Sequence, residues 1–372
     1  MILSEHTSVC TMSRVVSKNL FNFLPSGVVA EDVAAHEAKV MAELMSGVNK
    51  DAFLAAMNVM QSEDEEVGKE FLVAMRGFVD TAMKKMGQHP VLQRAAQDTL
   101  VAEIKVPTTH DGNYDVPVSV YTPKALEGAS NAAVIYAHGG GAVASNALDA
   151  KPWLDYLAVA CNVVVFNVEY RLAPETKCPN NVKDFYETVK YIHANATFLG
   201  VDSNKICIAG DSGGGYICLG TMVLLAQRDE TALVRLAIPG IPMVDDYCFS
   251  DPACMTEDER AKVQLMRKIW KLIATDFSAQ RSDPLLFPGK ASDDLLAKFP
   301  PTVIREVEFD MFITEATRLA RRLQRVGRLL ELVVIPGAKH GSCMNPELGC
   351  FKQGVDVMKT LINEYLHSDS QL

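Results

Sequence analysis

Two glycine-rich motifs, each set directly behind a short β-branched run, restrict this chain more than any other feature in it. Residues 138–141 read His-Gly-Gly-Gly after the run 133–137, and residues 210–214 read Gly-Asp-Ser-Gly-Gly after the run 205–209. Residues 216–227 then continue as an unbroken apolar, helix-like stretch. A strand that turns this tightly into a buried helix needs residues with little or no Cβ at the turn, and it leaves Ser212 at the apex. The fold must therefore place strand ends, a glycine loop and a helix start at one edge of a sheet.

The rest of the pattern agrees. Strand-like runs occupy residues 100–106, 116–122, 133–137, 163–168, 205–209, 234–238, 302–307 and 330–335. Helical stretches such as 182–193, 216–227 and 316–326 separate the later runs, the alternation expected of a mostly parallel sheet with helices on both faces. The first two runs, joined through Asp111-Gly112-Asn113, predict an antiparallel start. Residues 31–99 are helical in pattern. Ser62 and Glu65 are spaced as a capping box, and Val67, Phe71, Met75, Phe78, Ala82 and Met86 share one stripe. Residues 247–299, with a helical segment near 260–273, are too long for a simple crossover. The domain reading is thus a tail and cap segment over 1–99, a core over 100–246, a cap insertion over 247–299 and the second part of the core over 300–372.

With 48% hydrophobic and 22% charged residues the chain has ample material for a large core. Its net charge of −10, with no basic cluster interleaved with aromatics, argues against nucleic acid as a partner. The nine cysteines form no C-x-x-C pair or ligand-spaced cluster and read as buried thiols of a reducing compartment. Cys343 and Cys350, both in the loop after His340, are the one pair placed to be bridged. No apolar run has the length of a membrane span. A cytoplasmic location is expected, with a cleaved organelle presequence in the Ser/Thr-rich residues 1–29 as the alternative.

Serine is a weak nucleophile that needs a base, and the base needs an orienting acid. Ser212 is the nucleophile candidate, and the N–H of Gly213 follows it where an oxyanion would develop. His340, in Gly337-Ala338-Lys339-His340-Gly341 after the last strand run, is the candidate base. His138 precedes the glycines and is expected to shape their loop through hydrogen bonds. His6, His36, His89, His110, His193 and His367 have no partner motif. Glu308 and Asp310 both follow the seventh run; spacing favours Asp310, which lies on the strand-to-helix loop, without excluding Glu308. Nothing resembles a P-loop, a dinucleotide fingerprint or a zinc ligand set, so neither cofactor nor metal is expected.

Over residues 100–365 the chain resembles the hormone-sensitive-lipase-like family of α/β-hydrolase carboxylesterases. The resemblance is carried by His138-Gly139-Gly140-Gly141, Tyr170-Arg171-Leu172-Ala173-Pro174-Glu175, Gly210-Asp211-Ser212-Gly213-Gly214, Glu308-Phe309-Asp310 and His340-Gly341. It implies an α/β-hydrolase fold with a helical cap, a triad of Ser212, Asp310 and His340, and an oxyanion hole from the N–H groups of Gly140, Gly141 and Gly213. It also makes residues 170–175 a structural signature. The chain departs from the family at five positions. Gly213 stands where Ala is usual, which keeps the N–H and loosens the elbow. Ala142 and Ser342 stand where aromatic residues are usual, implying a pocket that lacks two bulky walls. Met311 and Thr314 replace a Pro and a second acidic residue after Asp310.

The resulting expectation is a cofactor-free serine carboxylesterase for small to medium acyl esters, with a small-molecule ester as partner and a second copy of the chain, in a homodimer, as the remaining candidate. An amidase or deacetylase would use the same triad. A ligand receptor on a hydrolase scaffold is the non-catalytic alternative.

Overall fold

The apolar runs become strands because the sheet is covered on both faces, so that successive side chains are buried in alternate directions. A computed structural model describes residues 69–112, 114–126, 128, 130–246 and 257–367. Within them β1 (Thr99–Pro107), β2 (Asp115–Pro123), β3 (Asn131–Ala137), β4 (Val164–Val168), β5 (Val201–Asp211), β6 (Leu236–Gly240), β7 (Thr302–Phe309) and β8 (Leu329–Lys339) form one sheet. Its order is β1-β2-β4-β3-β5-β6-β7-β8. Each of the eight expected runs falls on one of these strands, six of them wholly inside it; the runs 163–168 and 234–238 begin one and two residues before β4 and β6. β1 and β2 make the antiparallel start, β2 is also antiparallel to β4, and every pairing from β4 to β8 is parallel.

The helices among the described residues are α1 (Lys69–Gly87), α2 (Pro90–Gln97), α3 (Ala147–Cys161), α4 (Asn180–Ala194), α5 (Gly213–Gln227), α6 (Glu257–Ile273), α7 (Asp293–Leu296), α8 (Ile313–Arg325) and α9 (Cys350–Ile362). On β3, Ala133, Ile135 and Ala137 enter the core built with α4, α5 and α8. Val134 and Tyr136 enter the core on the other face, built with α3 and α9. α5 runs through the middle and is buried from Gly213 to Ala226, which is why its sequence is apolar all round. The mostly parallel eight-stranded sheet with helices on both faces is therefore the observed architecture.

On α1, Phe71 is fully buried and Met75, Phe78, Ala82 and Met86 are half-buried, so the apolar stripe faces the protein. The long excursion before β7 contributes α6, whose Ile269 and Trp270 are buried, while Leu286, Phe287, Leu296 and Phe299 enter the main core. The 1–29 tail, the Ser62–Glu65 capping box, Val67, Asn113, residues 247–256 and the last five residues lie outside the described residues. No helix among the described residues is long and apolar enough to cross a membrane. Cys161, Cys178, Cys207, Cys218 and Cys343 are buried thiols, and Cys350 is a half-buried one; Cys343 and Cys350 are not bridged. Burial pushes the Cys161 and Cys178 thiols up to about 12, leaving them inert at neutral pH.

Candidate active site

The carboxyl ends of β3, β5 and β7 and the loop after β8 bring together residues far apart in sequence. At the end of β5 the chain turns sharply, with Ser212 in the left-handed region at φ 60° and ψ −118°. That conformation costs a non-glycine residue on the order of 1–3 kcal/mol and persists only where its surroundings hold it. Here the Ser212 N–H donates to Gly240 O (2.9 Å), and the Tyr216 and Met243 N–H groups donate to Ser212 O at 3.1 and 3.3 Å. A Cβ at Gly210 would lie 2.6 Å from Gly214 O and 2.7 Å from Ala137 O, so the glycine is required by close approach of backbones.

His340 follows β8 and reaches back over the elbow. Its Nε2 is 2.8 Å from Ser212 Oγ and its Nδ1 is 2.8 Å from Asp310 Oδ2. The Asp310 side chain is fully buried while that of His340 keeps 31% of its surface, as a group exchanging protons at a site mouth would. Asp310 Oδ1 also accepts the Phe312 N–H (2.8 Å), and the Phe312 ring meets the imidazole edge-on at 5.2 Å. The other carboxylate left open by spacing goes elsewhere: Glu308 Oε2 accepts the Gly337 N–H (2.8 Å) and fastens the β8 bend.

The glycine loop after β3 lies against the elbow. Gly140, Gly141 and Ala142 are successive left-handed residues at φ 104°, 65° and 58°. A Cβ at Gly213 would come 2.5 Å from Ala142 N and 2.6 Å from Gly141 N. The space an alanine side chain would use at Gly213 is taken by the backbone nitrogens of the glycine loop, so the loop lies close against the elbow. Gly213→Ala is therefore expected to push the loop away and lower kcat about ten- to a hundredfold, an effect of the size seen when an oxyanion donor is misplaced. Unchanged turnover of a p-nitrophenyl ester by this variant would show that the close approach is not needed.

His138 is 1% exposed and its ring stacks on Tyr170 at 4.4 Å. Burial lowers its pKa to about 4, so the ring is neutral and its Nδ1–H donates to Gly139 O (2.9 Å). The Tyr170 hydroxyl donates to His138 O (2.7 Å), which ties the 170–175 signature to the loop. Ala142 is fully buried, and Ser342 is 7% exposed. The Ser342 hydroxyl donates to Lys339 O (2.6 Å) and accepts the Lys339 N–H (3.0 Å), closing the turn that carries His340.

Several residues at the site gave no recognisable signal in sequence. Asp211, directly before the nucleophile, accepts the Tyr136 hydroxyl at 2.6 Å and is ion-paired with Arg305. Burial and the Asp211 charge push the Tyr136 phenol well up, keeping it a neutral donor. Glu306 is fully buried; desolvation, then the nearby Asp310, push its carboxyl well above the usual range, which disfavours a second anion beside Asp310. Glu315 is likewise buried and pushed up, chiefly by desolvation, and its Oε2 accepts the Asp245 N–H (2.8 Å), fastening the Asp310 loop where Met311 and Thr314 depart from the family. Among the described residues no group of three or more His, Cys, Asp or Glu is placed to hold a metal ion.

The profile of the alpha/beta hydrolase fold family matches residues 134–344, more than half of the chain. The chain belongs to the alpha/beta hydrolase fold family. Within this family it is 31% identical over 237 residues to an ethyl acetate hydrolase of Pseudomonas putida, covering 63% of this chain and 73% of the relative. It is 30% identical over 245 residues to the carboxylesterase NlhH of Mycobacterium tuberculosis, covering 62% and 72%. Among solved structures it is similar to a bacterial heroin esterase, with a TM-score of 0.70 and 27% identity over 86% of this chain and 98% of that one. The resemblance to hormone-sensitive-lipase-like hydrolases drawn from the motifs is borne out by these matches.

Proposed function

We propose that the protein is a cofactor-free serine carboxylesterase that cleaves small to medium acyl esters through an acyl-enzyme intermediate. The observation that carries this reading is the continuous hydrogen-bonded line from Ser212 Oγ through His340 to Asp310, with both links at 2.8 Å. With Nδ1–H donating to the Asp310 carboxylate, Nε2 is left as the acceptor for the Ser212 proton. Ser212 Oγ attacks the ester carbonyl, its proton passes to His340 Nε2, and the carbonyl oxygen becomes an oxyanion facing the N–H groups of Gly140, Gly141 and Gly213. The imidazolium then gives its proton to the leaving alcohol. A water deprotonated by the same Nε2 attacks the acyl-enzyme, and the acid departs as Ser212 regains its proton. Asp310 fixes the tautomer and stabilises the charged imidazole without taking a proton.

The names of the similar proteins, an ethyl acetate hydrolase and a carboxylesterase, favour an ester as the substrate. Residues 1–99 and 247–299 are assigned to a cap over a core of 100–246 and 300–372. Met75 and Ile269, one from each cap segment, stand over Gly141, within 3.2–3.6 Å of where its Cβ would be. Such a roof directly over the oxyanion loop favours short acyl chains over long ones, and a cytoplasmic location fits the reduced thiols.

The test is a fluorophosphonate probe followed by intact mass and peptide mapping, together with a rate profile over p-nitrophenyl acetate, butyrate, octanoate and palmitate and an N-acetyl arylamide. One adduct on Ser212, and turnover highest on acetate or butyrate, are expected. No adduct under conditions that label a control esterase would favour the receptor reading, and preference for the arylamide would move the assignment to an amidase.

A further inference from the structure

We propose that Arg76, on the cap helix α1, is a positioning residue that holds the oxyanion loop in its donor geometry and so links the seating of the cap to catalytic competence. The inference rests on the acyl-transfer reading above and assigns a role to a residue in the cap segment, outside every motif that carries that reading.

The loop needs holding. Ala142, at φ 58°, is a non-glycine residue in the left-handed region that persists only where its surroundings hold it, and the two glycines before it leave the backbone conformationally free. Inside the loop, Gly140 O accepts the N–H groups of Val143 (3.2 Å) and Ala144 (2.9 Å). From the signature segment, the Ala173 N–H donates to Ala142 O (2.9 Å). Arg76 joins both holders: its Nε–H donates to Val143 O (2.8 Å) and its Nη2 donates to Ala173 O (3.2 Å). The Glu175 carboxylate receives Nη1 (2.9 Å) and Nη2 (2.7 Å), which fixes the plane of the guanidinium. A planar fork with several donors in fixed directions can serve two carbonyls and a carboxylate at once, whereas an ammonium cannot reproduce that geometry.

The neighbouring residue on α1 makes the link to the cap direct. Met75 Cε lies 3.2 Å from where a Gly141 Cβ would stand, so α1 both rests on the loop and is bolted to its exit by Arg76. A displacement of α1 must pull on Val143 O, two residues from the Gly141 amide. The Glu175 carboxylate is more than half exposed, so its ion pair is screened and contributes little by itself. The carbonyl bonds, which are partly buried, carry the positioning.

The test compares wild type, Arg76→Met, Arg76→Lys and Glu175→Gln for kcat and KM on p-nitrophenyl butyrate, for inhibition by an alkyl trifluoromethyl ketone and for Tm. Ser212 Oγ adds to the ketone's carbonyl carbon as its proton passes to His340 Nε2, and the carbonyl π pair moves to oxygen to leave an oxyanion, so the ketone's affinity reports on the donors. Arg76→Met is expected to lower kcat about 30- to 100-fold with KM within about threefold, and to weaken the ketone by the same factor as kcat/KM. Arg76→Lys should recover only part of the loss, and Glu175→Gln should stay within about threefold of wild type. A loss of Tm with kcat and ketone affinity unchanged would reduce Arg76 to a structural clamp and overturn the proposal, as would a rise in KM alone. Should Arg76→Met not fold, full kcat in Arg76→Lys would overturn it equally. A wild type that neither turns over the ester nor binds the ketone would instead strike the acyl-transfer reading itself.

Discussion

Ser212→Ala is expected to lower kcat for p-nitrophenyl esters by about 10⁶ while leaving the far-ultraviolet circular dichroism unchanged, because on the proposed reading Ser212 is the nucleophile of an interdependent triad and its removal takes away nearly all of the triad's effect. The fold should tolerate the change. The bonds that hold the elbow run through the Ser212 N–H and carbonyl, not its side chain, and Ala accepts the left-handed backbone at a cost similar to that of Ser. His340→Ala should be comparably severe, since Ser212 Oγ has its base at 2.8 Å in that ring alone among the described side chains. The double variant should be little worse than either single one, because the groups act as a unit. Adduct formation with a fluorophosphonate gives an independent reading: Ser212→Ala should abolish it, and His340→Ala should slow it strongly. Residual turnover within about tenfold of wild type in Ser212→Ala would place the nucleophile elsewhere.

The strands were legible because they are short β-branched runs bounded by polar or glycine-rich residues; β3, β4 and β6 are buried on both faces and show no polar alternation, while β2 alternates between buried and exposed residues. Their order was not legible. That β2 lies beside β4, and β4 beside β3, is decided by crossovers through helices, and local pattern does not encode it. α3 escaped notice for a related reason. Pro152 interrupts it, and its buried residues include Asp149 and Asp155 beside Trp153 and Leu157, so it shows no clean stripe. Its start is nevertheless set by Asn146, whose Oδ1 accepts the Asp149 N–H at 2.9 Å.

At the site, Ser212, the glycines and His340 could be picked out because their chemistry demands a local signature: a tight turn, small residues and a loop behind the last strand. Arg76 could not, since its partner Glu175 is 99 residues away and one arginine on an amphipathic helix reads as a solvated face. The Tyr136, Asp211 and Arg305 network was hidden for the same reason, being assembled from β3, β5 and β7. Ser342 marks the limit of reading a small residue as an empty pocket wall. Its hydroxyl is committed to both Lys339 backbone groups, and Cys350 Sγ lies 3.3 Å from it, so the side chain closes a turn.

The choice between two carboxylates two residues apart gives the second large effect. Asp310→Asn is expected to cost about 10⁴ in kcat, because an amide in place of Oδ2 can present N–H to His340 Nδ1, favouring the tautomer with the proton on Nε2, where it cannot accept from Ser212. Folding should be affected little: Oδ1, which accepts the Phe312 N–H, is retained by Asn. Glu308→Gln should lower kcat by less than about tenfold, since a Gln oxygen can still accept the Gly337 N–H and the residue has no contact with the imidazole. The pH profile separates the two further. Glu308→Gln should keep the wild-type profile, whereas in Asp310→Asn the profile should change shape, because on the proposed reading only the Asp310 carboxylate faces the imidazole. If Glu308→Gln proved the more damaging variant, the acid would be Glu308 and the 2.8 Å contact between His340 and Asp310 would not be the working one. The ranking is sharp because the two residues differ in one respect that matters: the register of β7 against β8 shifts between Val307 and Phe309, and Glu308 bonds the Gly337 N–H on β8 while Asp310, just past the strand, meets the His340 ring.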